Sequence, residues 1–227
     1  MFHWFEQRPF FFAVLVFLFV AFAGIIEVIP DFATQSRPAV GTKPYSVLEL
    51  AGRQVYIKDS CNACHSQLIR PFKAETDRYG MYSLSGEYAY DRPFLWGSKR
   101  TGPDLMRVGN YRTTDWHENH MMDPSAVVPG SIMPAYKHQF SNIADLDTAY
   151  AEAYTVKTVF ATPYDQDLDG DGKVDVELGE YEAAIAKAKE DAKLIAADMK
   201  NQAIKDAVAN GQIPEIVALI AYLNSLK

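Results

Sequence analysis

Apolar and polar residues divide the chain into a long apolar run near its start and shorter segments with helical periodicity after it. Residues 9–26 carry no charged side chain, and Val28 and Ile29 extend this run past Glu27. Because a helix of about 20 apolar residues crosses a bilayer core, the run predicts a transmembrane helix. Residues 30–44 contain prolines and show little periodicity, which indicates a linker.

The rest of the chain is predicted to be mostly α-helical. Apolar residues near helical spacing predict a helix over residues 45–59, and residues 213–226 place an apolar face on a last helix. Residues 66–100 are rich in Tyr, Arg, Gly and Pro without a clear period, which indicates ordered loops. The predicted organisation is an anchor over residues 1–30, a linker over 31–44 and a domain over 45–227, in which 141–212 form an inserted helical region.

The inserted region carries a narrow apolar seam whose residues step by four and three positions. This spacing predicts one long alanine-rich helix that ends at Gly211. We expect it to pack on a helix within residues 147–160, as an inserted hairpin, or on a partner subunit. The seam consists of Tyr181, Ile185, Ala188, Ala192, Ile195 and Met199.

The cysteines give the first indication of function, because the chain has two and both lie in one short motif. Cys61 and Cys64 stand three apart, and His65 follows at once. A disulfide between them would close a loop too small to add much stability. A thioredoxin-like redox pair needs a neighbouring βαβ unit, for which no strand pattern is present. A zinc site would need further ligands, and His117 and His120 are candidates.

The spacing Cys-x-x-Cys-His is also the attachment motif of c-type haem, and this interpretation accounts for all three residues. Two thiols add to the two vinyl groups of a haem, and one helical turn brings Cys61 and Cys64 to the right edge of the ring. His65 then lies under the iron as the proximal ligand. We therefore predict one covalently bound haem c.

Two later segments supply candidates for the remaining haem contacts. In residues 101–105 a Gly-Pro pair would let the Pro103 carbonyl accept the proximal histidine's N–H, although an ordinary turn explains the dipeptide equally well. Met133 lies between two prolines that restrict its loop, and a thioether ligand raises the haem potential as an electron carrier needs. We predict Met133 as the distal ligand. The alternatives are three other methionines or bis-histidine ligation: Met106, Met121, Met122, His117 and His120.

The residues that flank the apolar run predict its orientation. Arg8 precedes the run and the next basic residue is Arg37, so the positive-inside rule places the N-terminus in the cytoplasm and the haem domain outside. A cleaved signal peptide is the alternative, because residues 21–23 resemble a cleavage site. We favour a retained single-pass anchor because the apolar run continues past that site.

Composition is compatible with these predictions. Hydrophobic residues make up 48% of the 227, enough for a packed core, and the net charge of −7 argues against a nucleic-acid partner. The predicted fold is mostly α, with a single N-terminal transmembrane helix in contact with membrane lipid. A class I-like cytochrome c domain with an inserted helical hairpin follows it.

Four segments then give the chain a specific resemblance. They are CNACHSQLIRPF from residue 61, GEYAYDRPFLWGSKRTGPDL from 86, WHENH from 116 and SIMPAY from 131. Together with the N-terminal anchor, they resemble the mono-haem subunit (FixO/CcoO) of cbb-type haem–copper cytochrome c oxidases. The resemblance covers roughly residues 1–140 and the final helix.

The resemblance implies a role in aerobic or microaerobic respiration. The subunit would be anchored in the bacterial inner membrane beside the catalytic haem–copper subunit, with its haem domain in the periplasm. It would take electrons from a di-haem cytochrome c subunit or a soluble cytochrome c and pass them on, without an oxygen-reducing site of its own. Cys61 and Cys64 would form the thioether bonds, and His65 and Met133 would be the axial ligands.

Residues 167–175, DLDGDGKVD, contain a second motif. They match the first nine positions of calcium loops of the EF-hand and dockerin kind, which predicts bound Ca²⁺. The usual glutamate at position twelve is replaced by Leu178, and an acidic turn without an ion is the alternative. The predicted ligands are the carboxylates of Asp167, Asp169, Asp171 and Asp175 and the backbone carbonyl of Lys173. The candidates to replace the missing glutamate are Glu177, Glu180 and Asp165.

Two other functions are compatible with a membrane-anchored c-type cytochrome. One is a free-standing electron shuttle, which would not copurify with a haem–copper subunit. The other is a haem-based sensor, which would need an open or displaceable sixth position on the iron.

Overall fold

The computed structural model describes residues 2–33, 37–97 and 99–227, which form two compact units, Met1–Arg37 and Pro38–Lys227. No β-strand forms among these residues beyond one isolated bridge between Ile143 and Pro214. The mostly α fold expected from the sequence is therefore confirmed.

The described residues form helices in both units. The α-helices in chain order are α1 Phe2–Glu6, α2 Pro9–Ala33, α3 Val47–Lys58, α4 Lys73–Tyr79, α5 Thr114–Met122, α6 Pro124–Val127, α7 Leu146–Val159, α8 Tyr181–Ala197, α9 Gln202–Ala209 and α10 Glu215–Ser225. Short 3-10 turns lie at Cys61–Ala63, Ser85–Tyr88, Val108–Asn110 and Lys137–Phe140.

The first unit contains α2, which includes the predicted anchor. Its Pro9–Ile29 segment has a mean hydropathy of 2.8, and its most apolar stretch is not buried within the unit. By length and composition this segment is a candidate membrane span. The helix itself continues to Ala33, past residue 30, where the anchor was expected to end.

The second unit starts its helical core with α3, which Ser46 caps. The Ser46 hydroxyl accepts the Glu49 N–H at 3.3 Å, and the Glu49 carboxylate accepts the Ser46 N–H at 2.7 Å. This capping box satisfies two amides that the first helical turn leaves open. It sets the start of the helix that leads into the cysteine motif.

The last helix, α10, is buried all round and not on one face alone. No residue from 216 to 223 exposes more than 7% of its surface. α10 lies against α3 with the two backbones in direct contact, because a methyl group at Gly52 would stand 1.9 Å from the Ala218 carbonyl oxygen. Glycine is therefore the residue that permits this helix contact.

The inserted region forms the expected hairpin from α7 and α8, and both helices contact α3. The buried side of α8 consists of small residues at four-residue spacing, whereas Tyr181 at its start is 39% exposed. Alanines allow the helix to lie close to its neighbours. The buried residues of α8 are Ala184, Ala188, Ala192 and Ala196.

The prediction of one long helix that ends at Gly211 is wrong. α8 ends at Ala197, and α9 begins only at Gln202. The buried carboxylate of Glu118, from α5, accepts the N–H of Lys200 at 2.7 Å and that of Asn201 at 2.8 Å. These amides therefore bond across the fold, and the Asn201 side chain caps α9.

Replacing Gly52 by Ala should destabilise the domain by at least about 2 kcal/mol, because the added methyl has to push α3 away from the α10 backbone. Thermal unfolding of the purified protein measures this loss. Gly24→Ala is the matched control, since Gly24 is helical and a methyl there meets no atom within 4 Å. Equal unfolding temperatures for wild type and Gly52→Ala would contradict the close contact.

Candidate functional site

The cysteine motif follows directly on α3. Ser60 adopts a left-handed backbone with φ of 56°, after which a short turn leads to a hydrogen bond from the His65 N–H to the Cys61 carbonyl at 2.9 Å. The two thiols are not joined, and Cys61 is buried whereas Cys64 is exposed. Burial raises the pKa of Cys61 to about 12. A thioredoxin-like redox pair needs a neighbouring βαβ unit, and no β-strand forms among the described residues, so the structure does not favour that alternative.

The His65 ring is held by the loop that follows residue 100. Its Nδ1 donates to the Pro103 carbonyl oxygen at 2.8 Å, which fixes the tautomer and leaves Nε2 as the free ligand atom. Burial lowers the pKa of His65 and so favours the neutral ring that a metal needs. A methyl group at Gly102 would stand 2.3 Å from His65 Cε1, so the absence of a side chain there makes room for the ring.

Asp104 anchors this loop, although its role was not predicted from the sequence. Its buried carboxylate accepts hydrogen bonds from the Ser66 hydroxyl at 2.6 Å, the Leu68 N–H at 2.8 Å and the Met106 N–H at 2.9 Å. Asp104 therefore ties residues next to His65 to the segment that carries Pro103. The one feature of the sequence that could have indicated this role is the position of Asp104 immediately after the Gly-Pro pair.

Met133 lies half-buried against the main hydrophobic core, in the loop between α6 and α7. The loop is closed by the Tyr136 N–H, which donates to the Met121 carbonyl at 2.8 Å. In the turn that follows this loop, Gln139 Nε2 donates to the Asp59 carboxylate at 2.7 Å, two residues before the first cysteine of the motif. The Met133 loop is thus held beside the cysteine motif.

The other candidate methionines lie in or near the hydrophobic clusters, and Met121 shares the main cluster against which Met133 packs. Met106 and Met121 are each 7% exposed and belong to hydrophobic clusters, and Met122 is half-buried. Met106 packs in a separate small cluster with Ile69 and Tyr88.

His117 and His120 lie on α5, and each has a buried ring nitrogen without a hydrogen-bond partner. Burial lowers the pKa of His117 to about 4 and is also the main cause of the lowered pKa of His120. The His120 ring stacks on Trp116 at 4.4 Å, and His65 is close enough to affect its pKa. Among the described residues, neither histidine joins the cysteines in a cluster of metal-ligating groups.

Comparison with known families decides the identity of the chain. It matches the family model described as "Cytochrome C oxidase, mono-heme subunit/FixO" over residues 2–227. The chain belongs to this FixO family. The comparison with curated proteins finds no match.

The FixO match covers more of the chain than the motif segments did. It includes residues 141–212, which the sequence motifs had left outside the resemblance. The inserted hairpin therefore lies within the family model.

The chain is a mono-haem subunit of a cytochrome c oxidase, and its residues fit a covalent haem: two unbonded thiols, an oriented His65 and a glycine where its ring needs space.

The calcium-type loop of the FixO chain is partly assembled. Carboxylate oxygens of Asp167, Asp169 and Asp175 lie within 4.8 Å of one another, whereas Asp171 is not part of this group. The Gly172 N–H donates to Asp167 at 2.8 Å, and Gly172 has φ of 85°, which glycine adopts without strain.

Two features of this loop could not be predicted from the motif. Lys43, from the predicted linker, forms an ion pair with Asp175, and its Nζ lies 3.9 Å from Asp169 Oδ2. Leu178, at position twelve, is 1% exposed and packs in the core, which explains why no ligand side chain stands there.

The three candidates to replace the missing position-twelve glutamate differ in exposure and in hydrogen bonding. Asp165 accepts the N–H groups of Leu178 and Gly179 and pairs with Lys157, so its carboxylate is already engaged. Glu177 and Glu180 are exposed, and Glu180 is the residue that precedes α8.

Replacing Gly102 by Ala should displace the His65 ring and disturb its bond to Pro103. We expect a changed visible haem spectrum and a lower yield of protein with native haem ligation. Gly109→Ala is the matched control, because a methyl there would clash with the Asn224 carbonyl at 2.5 Å, away from His65. An unaltered haem spectrum in Gly102→Ala, as folded protein, would refute this role for Gly102.

Proposed function

We propose that this FixO chain relays electrons through a covalently bound haem c to the haem–copper catalytic subunit of a cbb-type cytochrome c oxidase. The observation that carries the proposal is the family match together with a Cys-x-x-Cys-His motif whose His65 is oriented by the Pro103 carbonyl. When bound, haem c supplies a one-electron redox centre.

Each residue of the site has a separate task in this proposal. Cys61 and Cys64 would hold the haem through thioether bonds, and His65 would offer Nε2 to its iron. Its Nδ1–H bond to Pro103 orients the ring and raises its basicity as a ligand. Met133 would supply a thioether ligand to the iron from a loop that is tied to the Met121 carbonyl. The chain itself performs no oxygen chemistry.

The proposal is tested on the oxidase solubilised from native membranes, in wild type and in Met133→His. We expect the haem–copper subunit to copurify with both forms. The variant should have a lower haem potential and slower oxygen consumption, because a second imidazole favours the ferric state more than a thioether does. Redox titration and an oxygen electrode give the two measurements.

Matched variants separate the alternatives. Met81 is 58% exposed, so Met81→His should leave the near-infrared sulfur-to-iron band and the potential unchanged. Loss of that band in Met122→His, with an intact band in Met133→His, would reject Met133 as the ligand. A chain that purifies without a haem–copper subunit would be a free shuttle, and carbon monoxide binding to the reduced native domain would favour a sensor.

We also propose that α2 is a retained anchor with the N-terminus in the cytoplasm and the haem domain in the periplasm. The support is the apolar Pro9–Ile29 segment and Arg8 before it, with no further basic residue until Arg37. Protease added to intact spheroplasts should cut the haem domain and leave a small membrane fragment. A mature protein that begins after Ala23 would show cleavage of the anchor instead.

We further propose that the 167–175 loop binds Ca²⁺. Three of its carboxylates converge, and like charges this close repel one another unless a cation neutralises them. Lys43 supplies a positive charge at this place in the structure, so Ca²⁺ has to compete with its ammonium group for Asp175 and Asp169. The ion would order the connection between α7 and α8 without taking part in electron transfer.

Removing loop carboxylates should abolish calcium-dependent stability. Free Ca²⁺ at about 100 times its dissociation constant should stabilise the wild type by about 2.7 kcal/mol. Asp167→Ala with Asp169→Ala should lose this gain and keep the haem spectrum, whereas Asp198→Ala, an exposed carboxylate of the same region, should keep both. Thermal unfolding of the purified protein with and without a chelator measures the effect.

Lys43 gives the calcium proposal its sharpest control. Lys43→Gln should bind Ca²⁺ more tightly than wild type, because it removes the competing charge from the ligands. The calcium proposal is rejected if Ca²⁺ stabilises neither the wild type nor Lys43→Gln. The loop is then an acidic turn without an ion.

A further inference from the structure

A second cluster of potential metal ligands lies beside the cysteine motif and is not used by the proposed function. Ligand atoms of Asp59, His138 and Glu215 lie within 4.8 Å of one another. We call this group the Asp59 cluster. Its side chains come from three segments: the residue that follows α3, the turn Lys137–Phe140, and the start of α10.

Two of the three side chains of the cluster are shielded from solvent. The side chains of Asp59 and Glu215 are each 9% exposed, and that of His138 is 45% exposed. His138 Nε2 lies 3.0 Å from Asp59 Oδ2. Lys58, at the edge of the cluster, forms an ion pair with Glu215, and its own side chain is 48% exposed.

A buried oxygen without a hydrogen-bond partner lies on an amide that is bonded to this cluster. Gln139 has no exposed surface, and its Nε2 donates to Asp59 Oδ2 at 2.7 Å. Its Oε1, on the same amide group, accepts no hydrogen bond. A rotation of the amide by about 180° exchanges Nε2 and Oε1, so Gln139 is able to turn this unsatisfied oxygen toward a cation bound at the cluster.

We propose that the Asp59 cluster is a binding site for a divalent transition metal of the zinc type. The imidazole of His138 and the carboxylates of Asp59 and Glu215 supply one nitrogen and two oxygen donors. The Gln139 carbonyl oxygen would supply a fourth once its amide rotates to turn Oε1 toward the ion. This mixed set suits Zn²⁺, whereas Ca²⁺ and Mg²⁺ prefer all-oxygen sites.

The charges of the cluster favour a cation. Two carboxylates face one lysine, which leaves one negative charge when His138 is neutral. A metal ion takes the lone pair of His138 Nε2 in place of a proton. Lys58 is half-exposed on a long flexible stem, so it can turn into solvent when the ion binds Glu215.

A metal ion at the Asp59 cluster would link the cysteine motif to the Met133 loop, and the proposed haem site uses both segments. Asp59 stands two residues before Cys61, and His138 stands five residues after Met133. An ion held by both would keep the Met133 loop against the cysteine motif. This consequence rests on the proposed role of Met133, whereas metal binding itself does not.

Zinc titration of the haem-loaded full-length chain tests the site. The protein carries no polyhistidine tag, is stripped with a chelator and is then kept in millimolar Ca²⁺ so that the 167–175 loop does not take up zinc. Calorimetry should show one zinc ion per chain in the wild type. His138→Gln should bind at least about tenfold more weakly, because one ligand is lost, and Mg²⁺ should give no heat at the cluster.

His3→Gln is the matched control, since His3 is an exposed histidine near the N-terminus and should not alter the titration. Zinc should also raise the temperature at which the near-infrared sulfur-to-iron band is lost, in the wild type and not in His138→Gln. The His138 side chain is partly exposed, so this variant is expected to fold, and an unchanged haem spectrum verifies that it does.

The outcomes are separable. No stoichiometric zinc binding, or equal binding in wild type and His138→Gln, would overturn the metal site. Zinc binding that leaves the sulfur-to-iron band unaffected would overturn the link to the Met133 loop while the metal site stands. Failure of the chain to copurify with an oxidase would overturn the electron-relay proposal and leave both results intact.

Discussion

The backbone contact between α3 and α10 is the interaction on which the rest of the domain depends. Gly52 has no side chain, so the Ala218 carbonyl can reach the α3 backbone, and α10 is then buried on every side. Because α3 ends just before the cysteine motif, this contact also sets where Cys61 and His65 stand. The α7–α8 hairpin packs against α3 as well.

Hydrogen bonds between residues distant in sequence position the loops around the cysteine motif. Asp104 ties residues 66–68 to the loop that holds Pro103, and Pro103 fixes the ring of His65. On the other side, Asp59 receives the side chains of His138 and Gln139, which follow the Met133 loop. Both loops are thus positioned by buried carboxylates, whose loss would leave several donors unsatisfied at once.

Predictions from the sequence succeeded where local pattern carries the information and failed where it does not. The apolar run indicates a helix by its length and lack of charge. The segments around α3 and α10 indicate helices because their apolar residues recur at helical spacing. The break after Ala197 contains no glycine or proline, and its one local signal is Asn201, a residue type that favours helix N-caps. That break depends on Glu118, about 80 residues earlier, which accepts the Lys200 and Asn201 amides.

The sequence by itself determined the chemistry that adjacent residues can perform: the thiols and imidazole of Cys-x-x-Cys-His, the alternating aspartates of the 167–175 loop and the apolar run that is a candidate membrane span. The tertiary structure alone decided which distant groups meet these motifs. Lys43 forms an ion pair with Asp175. Lys58 contacts Glu215, which is 157 positions later in the chain, and Asp59 contacts His138, which is 79 positions later. Such pairs form because packing of α3, α10 and the loops brings them together, and no local spacing encodes a contact across so long a stretch of chain.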